Sequence, residues 1–388
     1  MTESGPSAPS ATAVGPMMLD VYGLEAILRG LRDAGRTVIG PVVRDGVITH
    51  DEIERIADLP IGWTDDQDGG RYAAVRTGTD ELFAFSSPAT SWKRYVYPER
   101  TLLITAKRSQ DAVTVTEAQP AAPHLAFFGI RSCDLAALSV LDRVFIDGDA
   151  TDPHYRSRRN DVFIVAAGCG HPGRTCFCAS MDTGPSPRSG FDLAVAELHD
   201  DRRHEFLVTP GSDRGHALLR NIGGRPATAA DREAVGLVND RAVAAMGRTL
   251  RPEDPPLAAQ HLDHPRWDDV AERCLACGNC TMACPTCFCG TTEEVTNLGG
   301  DEAQRWRVWD SCFTLDFTHL PDGAVRASTK SRYRQWLLHK LVTWHDQFGT
   351  SGCVGCGRCI TWCPVGIDLT VEIAALARSQ QEESETSP

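Results

Sequence analysis

Eight of the 15 cysteines fall into two runs that share the spacing C-x2-C-x2-C-x3-C-P. The first run contains Cys274, Cys277, Cys280 and Cys284, and the second contains Cys353, Cys356, Cys359 and Cys363. This is the bacterial ferredoxin pattern, in which three thiolates on one tight loop reach three corners of a 4Fe-4S cube. A zinc site would instead use two CxxC pairs. The spacing therefore predicts two 4Fe-4S clusters.

The two runs are expected to exchange one ligand. Where two such runs occur together, the fourth cysteine of each usually binds the cluster of the other. The predicted ligand sets are Cys274, Cys277, Cys280 and Cys363 for one cluster, and Cys353, Cys356, Cys359 and Cys284 for the other. Gly278 and Gly357 are expected to leave room for backbone N–H groups near the sulfides.

Four more cysteines form an upstream set. Cys133 stands alone, whereas Cys169, Cys176 and Cys178 share one glycine-rich stretch. Four thiols are what a cubane needs, so a third 4Fe-4S cluster is the favoured interpretation. A zinc or redox site is the first alternative, and buried structural cysteines are the second. The G-x-G-x-x-G pattern at residues 168–173 is a weak sign of dinucleotide binding, because Pro172 interrupts the expected helix start.

Three cysteines are left over, namely Cys287, Cys289 and Cys312. They could form an extra metal site with a borrowed ligand, or they could be thiols packed close to the clusters. The second interpretation is favoured. Lysine occurs only at positions 93, 107, 330 and 340, which is interpreted as compositional bias.

Two predicted strands must position the upstream set. Residues 125–130 and 162–167 are mostly apolar, and each segment runs directly into a cysteine-bearing stretch. A helix is predicted over residues 135–144. Ligands gather at the carboxyl ends of the strands in open α/β sheets, so Cys133 and Cys169 are expected at such an edge. The other predicted elements are a helix over 20–34, strands over 37–43, 47–49 and 101–105, a loop over 65–71 and an exposed strand over 92–95.

The predicted fold class is α+β, with two domains. Residues 19–256 are expected to form a mixed α/β domain. Residues 257–378 are expected to form a mostly helical, ferredoxin-like dicluster domain, because residues 330–347 carry aromatic and aliphatic side chains at helical spacing. Residues 1–18 are predicted to be disordered, and residues 379–388 are predicted to be a polar tail.

Composition excludes several classes of function. A net charge of −13 argues against a nucleic-acid partner, and the absence of an apolar run of about 18 residues argues against a membrane span. The first 16 residues lack the basic flank and apolar stretch of an export signal, which predicts a cytoplasmic protein with reduced thiols. No GxSxG, HExxH or P-loop motif is present, so no catalytic residue is predicted.

Four segments together resemble a known family. They are FGIRSCDLAAL at 128–138, GCGHPGRTCFCASMDTGP at 168–185, CLACGNCTMACPTCFC at 274–289 and WDSCF at 309–313. The chain resembles the beta, iron–sulfur subunit of soluble cytoplasmic nickel–iron hydrogenases, also called sulfhydrogenases, and the related A subunit of anaerobic sulfite reductase. The resemblance covers nearly the whole chain after residue 18. The two upstream segments narrow the family, since many iron–sulfur proteins share the C-terminal motifs.

The resemblance implies an electron-transfer role within a complex. The family's subunit carries electrons between a flavin subunit that handles NAD(P)H and the hydrogenase small subunit, which stands next to the nickel–iron large subunit. The eight ferredoxin-type cysteines carry over to this chain as cluster ligands. A subunit of a sulfite reductase-type complex is the alternative. A self-sufficient flavin enzyme and an iron–sulfur transcription regulator are disfavoured, the first by the weak glycine motif and the second by the acidic charge.

Overall fold

The computed structural model describes residues 14–385, with side chains described up to residue 378. The helices are α1 (Val21–Asp33), α2 (Lys93–Val96), α3 (Ser132–Phe145), α4 (Pro153–Arg159), α5 (Asp213–Leu219), α6 (Ala229–Ala245), α7 (Asp254–Ala259), α8 (Arg266–Arg273), α9 (Asn279–Met282), α10 (Thr329–Leu338), α11 (Trp344–Phe348), α12 (Arg358–Thr361) and α13 (Leu369–Glu385). A π-helical turn, His339–Thr343, joins α10 to α11.

The strands are β1 (Met17–Leu19), β2 (Thr37–Arg44), β3 (Val47–Glu52), β4 (Trp63–Asp68), β5 (Arg71–Arg76), β6 (Arg100–Arg108), β7 (Val113–Glu117), β8 (Leu125–Arg131), β9 (Phe163–Ala167), β10 (Leu193–Asp200), β11 (Arg203–Pro210), β12 (Arg225–Pro226), β13 (Gly290–Thr296), β14 (Glu302–Trp309), β15 (His319–Leu320) and β16 (Gly323–Ala324). Helices and strands together make an α+β fold, as predicted.

An eight-stranded sheet lies at the centre of the fold, in the order β12-β1-β11-β10-β9-β8-β2-β3. Strands β2, β8, β9 and β10 run parallel, and antiparallel strands flank them on both sides. Strands β8 and β9 are buried along their whole length, which explains their nearly continuous apolar sequence. Helix α1 begins after Asp20, whose side chain accepts a hydrogen bond from the Gly23 N–H, and its apolar face joins the core of this sheet.

The carboxyl ends of β8 and β9 deliver two of the predicted ligands. Strand β8 ends at Arg131 and α3 begins at Ser132, so Cys133 lies in the first turn of that helix. Strand β9 ends at Ala167, and the loop after it carries Cys169. Because β8 and β9 are paired in parallel, both cysteines emerge at one edge of the sheet. The predicted strand ends are confirmed.

A second sheet, antiparallel and four-stranded, joins the two halves of the sequence in the order β13-β14-β6-β7. Strands β13 and β14 lie within residues 257–378, so the prediction of a mostly helical domain there is not confirmed. Strand β14 pairs with β6, which comes from the first predicted domain, so the sheet crosses the predicted boundary at residue 256. The β-branched and aromatic residues between 290 and 309 favour strands, whereas the prediction of a helical domain rested on the spacing within residues 330–347.

Two local predictions are wrong. Residues 65–71 are not a loop, because β4 and β5 pair as a hairpin around Gly69 and Gly70, and only the turn is loop-like. Residues 92–95 are not an exposed strand. The Trp92 ring packs on Phe127, with centroids 4.6 Å apart, and α2 follows directly. Sequence spacing could not reveal that contact, which joins residues far apart in the chain.

The chain termini also differ from expectation. Strand β1 pairs with β11, so the predicted disorder of residues 1–18 extends too far; residues 1–13 lie outside the described residues. Helix α13 continues to Glu385, past the predicted start of the polar tail, and residues 386–388 lie outside the description. None of the helices in the described range combines the length and apolar character that a membrane crossing requires.

Candidate iron–sulfur sites

The upstream cysteines converge on one small cavity. Its wall includes Cys133, Cys169, Cys176 and Cys178, together with Arg131, Pro172 and Pro185. The segment that carries the last two cysteines is docked against the second ferredoxin-type run, because the Phe177 N–H donates to the Gly355 carbonyl at 2.8 Å. Four thiols separated by up to 45 positions in the sequence are thus brought together, as a shared site requires.

The two ferredoxin-type runs exchange their fourth cysteines. One cavity is lined by Cys274, Cys277, Cys280 and Cys363. Cys284 is absent from that cavity wall and interacts electrostatically with the thiols of Cys353, Cys356 and Cys359. The structure therefore groups these eight thiols in the two sets that the sequence predicts.

The three sets lie in a row. Cys356, from the second run, also lines the upstream cavity. Cys359, from the same run, also lines the cavity of the first run. The set completed by Cys284 consequently stands in the middle, between the upstream set and the set completed by Cys363. We call these the upstream, middle and outer sets.

Backbone geometry shapes both ferredoxin-type loops in the same way. The amides of Ala276 and Gly355 donate to the sulfurs of Cys274 and Cys353, at 3.4 and 3.5 Å, two residues back in each run. Such N–H···S bonds orient cluster thiolates and help to set the potential of a bound cluster. Ile367 makes a third bond of this kind to Cys363, at 3.3 Å.

Backbone conformation and close packing require glycine at positions 278 and 357, and the predicted room for N–H groups near the sulfides stays a prediction. Both adopt positive φ, +72° and +75°, immediately before the short helices α9 and α12. A Cβ on Gly357 would lie 2.4 Å from the Thr175 carbonyl oxygen, and a Cβ on Gly278 would lie 2.9 Å from the Ser311 Oγ. These positions thus need glycine for backbone conformation and for close contact with neighbouring segments.

The spacing of the thiols disfavours zinc at all three sets. Sulfur atoms around one zinc ion lie about 3.8 Å apart, since each Zn–S bond is about 2.3 Å long. Within residues 14–385, no three cysteine sulfurs lie within 4.8 Å of one another. A cubane spreads its four thiolates further apart, because each binds a different iron atom.

The outer cavity also contains polar groups that lack a partner. Tyr333 and Trp336, from α10, line it beside the four thiols. The Tyr333 hydroxyl and the Trp336 indole nitrogen are buried, and neither has a hydrogen-bond partner among the residues that the structure describes. Buried donors of this kind are rare in native proteins, and the sulfides of a cluster would offer them acceptors. The residues present therefore fit a 4Fe-4S group.

Buried cations accompany the cysteines. Arg131, Lys93 and Lys340 are almost fully buried, and in the described part of the chain no carboxylate lies within salt-bridge distance of them. The Lys340 ammonium donates to the Cys284 sulfur and to the Thr286 hydroxyl, both at 3.1 Å. Burying an unpaired cation is costly, so a nearby negative charge is expected. The buried Asp65 already interacts electrostatically with Arg131. Cluster thiolates would supply the charge for Lys93 and Lys340.

The pKa values of the thiols indicate which of them would need a bound metal to carry negative charge. Burial raises the pKa of Cys133, Cys176 and Cys359 far above the usual range, so these groups are neutral thiols unless a metal replaces the proton. The pKa of Cys284 shifts the other way: hydrogen bonding by Cys287, together with the Lys340 charge, holds it well below the usual value. Hydrogen bonding by Cys312 lowers the pKa of Cys289 to about 7.

Residues 273–367 match the model of a 4Fe-4S dicluster domain. The chain is 30% identical over 352 residues to Sulfhydrogenase 2 subunit beta of Pyrococcus furiosus, which covers 87% of this chain and 91% of that protein. The chain belongs to the sulfhydrogenase beta-subunit family. It is therefore an iron–sulfur protein with an electron-transfer role. No solved structure matches it.

Lys93, Lys340 and Arg131 are the residues of this sulfhydrogenase-family site that the sequence analysis missed. The signal was the scarcity of lysine, which occurs four times and twice beside these thiols. The leftover cysteines lie in the same region: Cys287 contacts Cys284, and Cys289 contacts Cys312. Cys312 also interacts electrostatically with Cys280 of the outer set. This packing close to predicted ligands suits the interpretation of supporting thiols, which stays a prediction.

Lys340→Met is expected to lower the reduction potential of the cluster that Cys284 binds. Reduction adds negative charge, which the Lys340 ammonium stabilises through its bond to Cys284. If the variant stabilises the reduced cluster relative to the oxidised cluster by about 1.4 kcal/mol less, the potential falls by about 59 mV for one electron. A redox titration followed by EPR measures it. Lys330→Met, which removes a lysine paired with Asp268, is the control; equal potentials in both variants would contradict the assignment.

Proposed function

We propose that this chain relays electrons through three 4Fe-4S clusters in a row, as the iron–sulfur subunit of a nickel–iron sulfhydrogenase complex. The observation that carries the proposal is the row itself, in which Cys356 and Cys359 connect the middle set to its two neighbours. A relay needs successive carriers that lie close together in space. A protein that used its thiols only for stability would have no need of such a row.

The chain's own residues would hold and tune the carriers. Each bound cluster would take up and release one electron with little rearrangement. The N–H groups of Ala276, Gly355 and Ile367 would orient the thiolates, and Arg131 and Lys340 would offset their negative charge. No proton has to move at these residues, in keeping with the predicted absence of a catalytic residue.

The two ends of the row would exchange electrons with other subunits. At the outer end Cys277 is exposed, with Leu275 exposed beside it. At the upstream end Cys169 forms part of the wall of an open cavity that also contains His171 and Arg241. The partners would be a flavin subunit that handles NAD(P)H at one end and the small subunit of the hydrogenase, with its large subunit, at the other.

The family assignment favours this complex over a sulfite reductase-type complex, because the curated relative is a sulfhydrogenase subunit. We also propose that the chain works in the cytoplasm. All 15 cysteines lie within the described residues and none forms a disulfide, in keeping with a reducing compartment.

The test is the iron and acid-labile sulfide content of the anaerobically purified full chain. About twelve irons per chain are expected for three cubanes. Cys176→Ser is expected to retain about eight, since it removes one ligand of the upstream set alone. Cys312→Ser is the matched control and should retain all twelve. A parent chain with about eight irons, unchanged by Cys176→Ser, would rule out the upstream cluster and leave only the ferredoxin-type pair.

A further inference from the structure

A second group of metal-binding side chains lies away from the cysteines, on the β10–β11 hairpin. His199 and His204 are directly opposite each other in this antiparallel pair, and their rings contact edge to face, with centroids 4.8 Å apart. The carboxylate of Asp80 lies against both. Its two oxygens are 2.6 Å from the His199 Nε2 and 3.3 Å from the His204 Nδ1.

Glu197 fixes the orientation of this group. One of its oxygens lies 2.7 Å from the His204 Nε2, which leaves the Nδ1 of the same ring facing Asp80. The carboxylate also accepts hydrogen bonds from the backbone N–H groups of Leu82 and Phe83, at 2.7 and 2.8 Å. It therefore holds the segment that follows Asp80 against the hairpin.

We propose that Asp80, His199 and His204 bind a divalent first-row transition metal such as Zn²⁺, with Glu197 as the hydrogen-bonded partner of His204. Two imidazoles and one carboxylate are a ligand set that such ions prefer. A metal-bound histidine typically donates its other ring N–H to a carboxylate, as His204 is placed to do toward Glu197. The ligand atoms of all three residues lie within 4.8 Å of one another.

The distances suit a metal with little rearrangement. Nitrogen and oxygen ligands about 2.0–2.1 Å from a tetrahedral zinc ion lie about 3.3 Å apart. The His204 Nδ1 already has that separation from one Asp80 oxygen. The His199 Nε2 is closer to the other Asp80 oxygen, at 2.6 Å, so this distance must increase by several tenths of an ångström. The Asp80 side chain is 73% exposed, so it is free to move that far.

The metal would fix one wall of the open cavity that reaches Cys169. Glu197 and His199 line the cavity that reaches Cys169, and so does Glu81, next to Asp80. A bound ion would link the Asp80 segment to the hairpin across 119 positions of sequence. The site contains no cysteine, so the proposal stands independently of the cluster assignment.

The experiment is a calorimetric titration of the cluster-loaded full chain with Zn²⁺, carried out anaerobically. One zinc ion per chain is expected at the site. His199→Ala and Asp80→Asn should each weaken binding by about 100-fold or more, and Glu197→Gln by about 10- to 100-fold. Asp80 is exposed, so its variant should fold, and an unchanged iron content will verify this for each variant.

His171→Ala is the matched control. His171 also pairs with a carboxylate near the same cavity, Glu81 at 2.9 Å, and no third ligand atom accompanies that pair among the described residues. Its replacement should leave zinc affinity unchanged. Absence of a one-to-one zinc site, or equal affinity in the parent, His199→Ala and Asp80→Asn chains, would overturn the proposal and leave a plain hydrogen-bonded network.

Discussion

Cys353→Ser is expected to stop electron transfer through the chain while about eight of twelve irons remain bound. Cys353 belongs to the middle set and lines neither of the neighbouring cavities. Its loss should therefore remove the middle cluster and leave the two end clusters in place. With the middle carrier gone, an electron would have to cross the whole gap between the ends, and transfer should fall to background.

Two measurements distinguish the presence of the end clusters from electron transfer along the whole row. Iron content and EPR of the dithionite-reduced chain report the end clusters, and electron transfer between the flavin subunit and the hydrogenase in the assembled complex reports the relay. Cys289→Ser, which changes a thiol that contacts Cys312 and, within the described residues, no predicted ligand, is the control and should keep both signals. Full transfer in Cys353→Ser would show that electrons bypass the middle set.

Asp134→Asn is expected to destabilise the loaded protein by about 3–5 kcal/mol, the usual effect of leaving a buried charge without its partner. Asp134 and Arg358 form a two-pronged ion pair, at 2.9 and 2.8 Å, and their side chains are 1% and 2% exposed. The pair joins α3, which carries Cys133, to the segment between Cys356 and Cys359. Its loss should loosen the junction between the upstream and middle sets.

Thermal loss of cluster absorbance measures this effect, and the midpoint should fall by several degrees. Asp51→Asn is the control, because the Asp51–Arg44 pair is largely exposed and is worth at most about 1 kcal/mol. The double variant Asp134→Asn/Arg358→Gln should recover part of the lost stability, since no unpaired charge then remains. An equal midpoint in Asp134→Asn and Asp51→Asn would show that the buried pair has no special role.

The sequence by itself determined the ligands that lie close together in the chain. Three cysteines within seven residues, followed by a fourth and a proline, define a cubane loop without reference to any other element. The sequence also predicted the strands that end before Cys133 and Cys169, because a fully buried parallel strand needs a continuous apolar run. The family resemblance rested on these same local segments.

Only the tertiary structure decided the order of the three sets and the charges around them. The upstream segment meets the middle set through contacts such as Arg358–Asp134, which joins residues 224 positions apart. Lys93 reaches the Cys287 carbonyl across 194 positions. Local spacing carries no information about such contacts, because they arise when separate sheets and loops pack together. For that reason all four lysines were interpreted as compositional bias in the sequence, whereas two of them, Lys93 and Lys340, are buried beside the thiols in the fold.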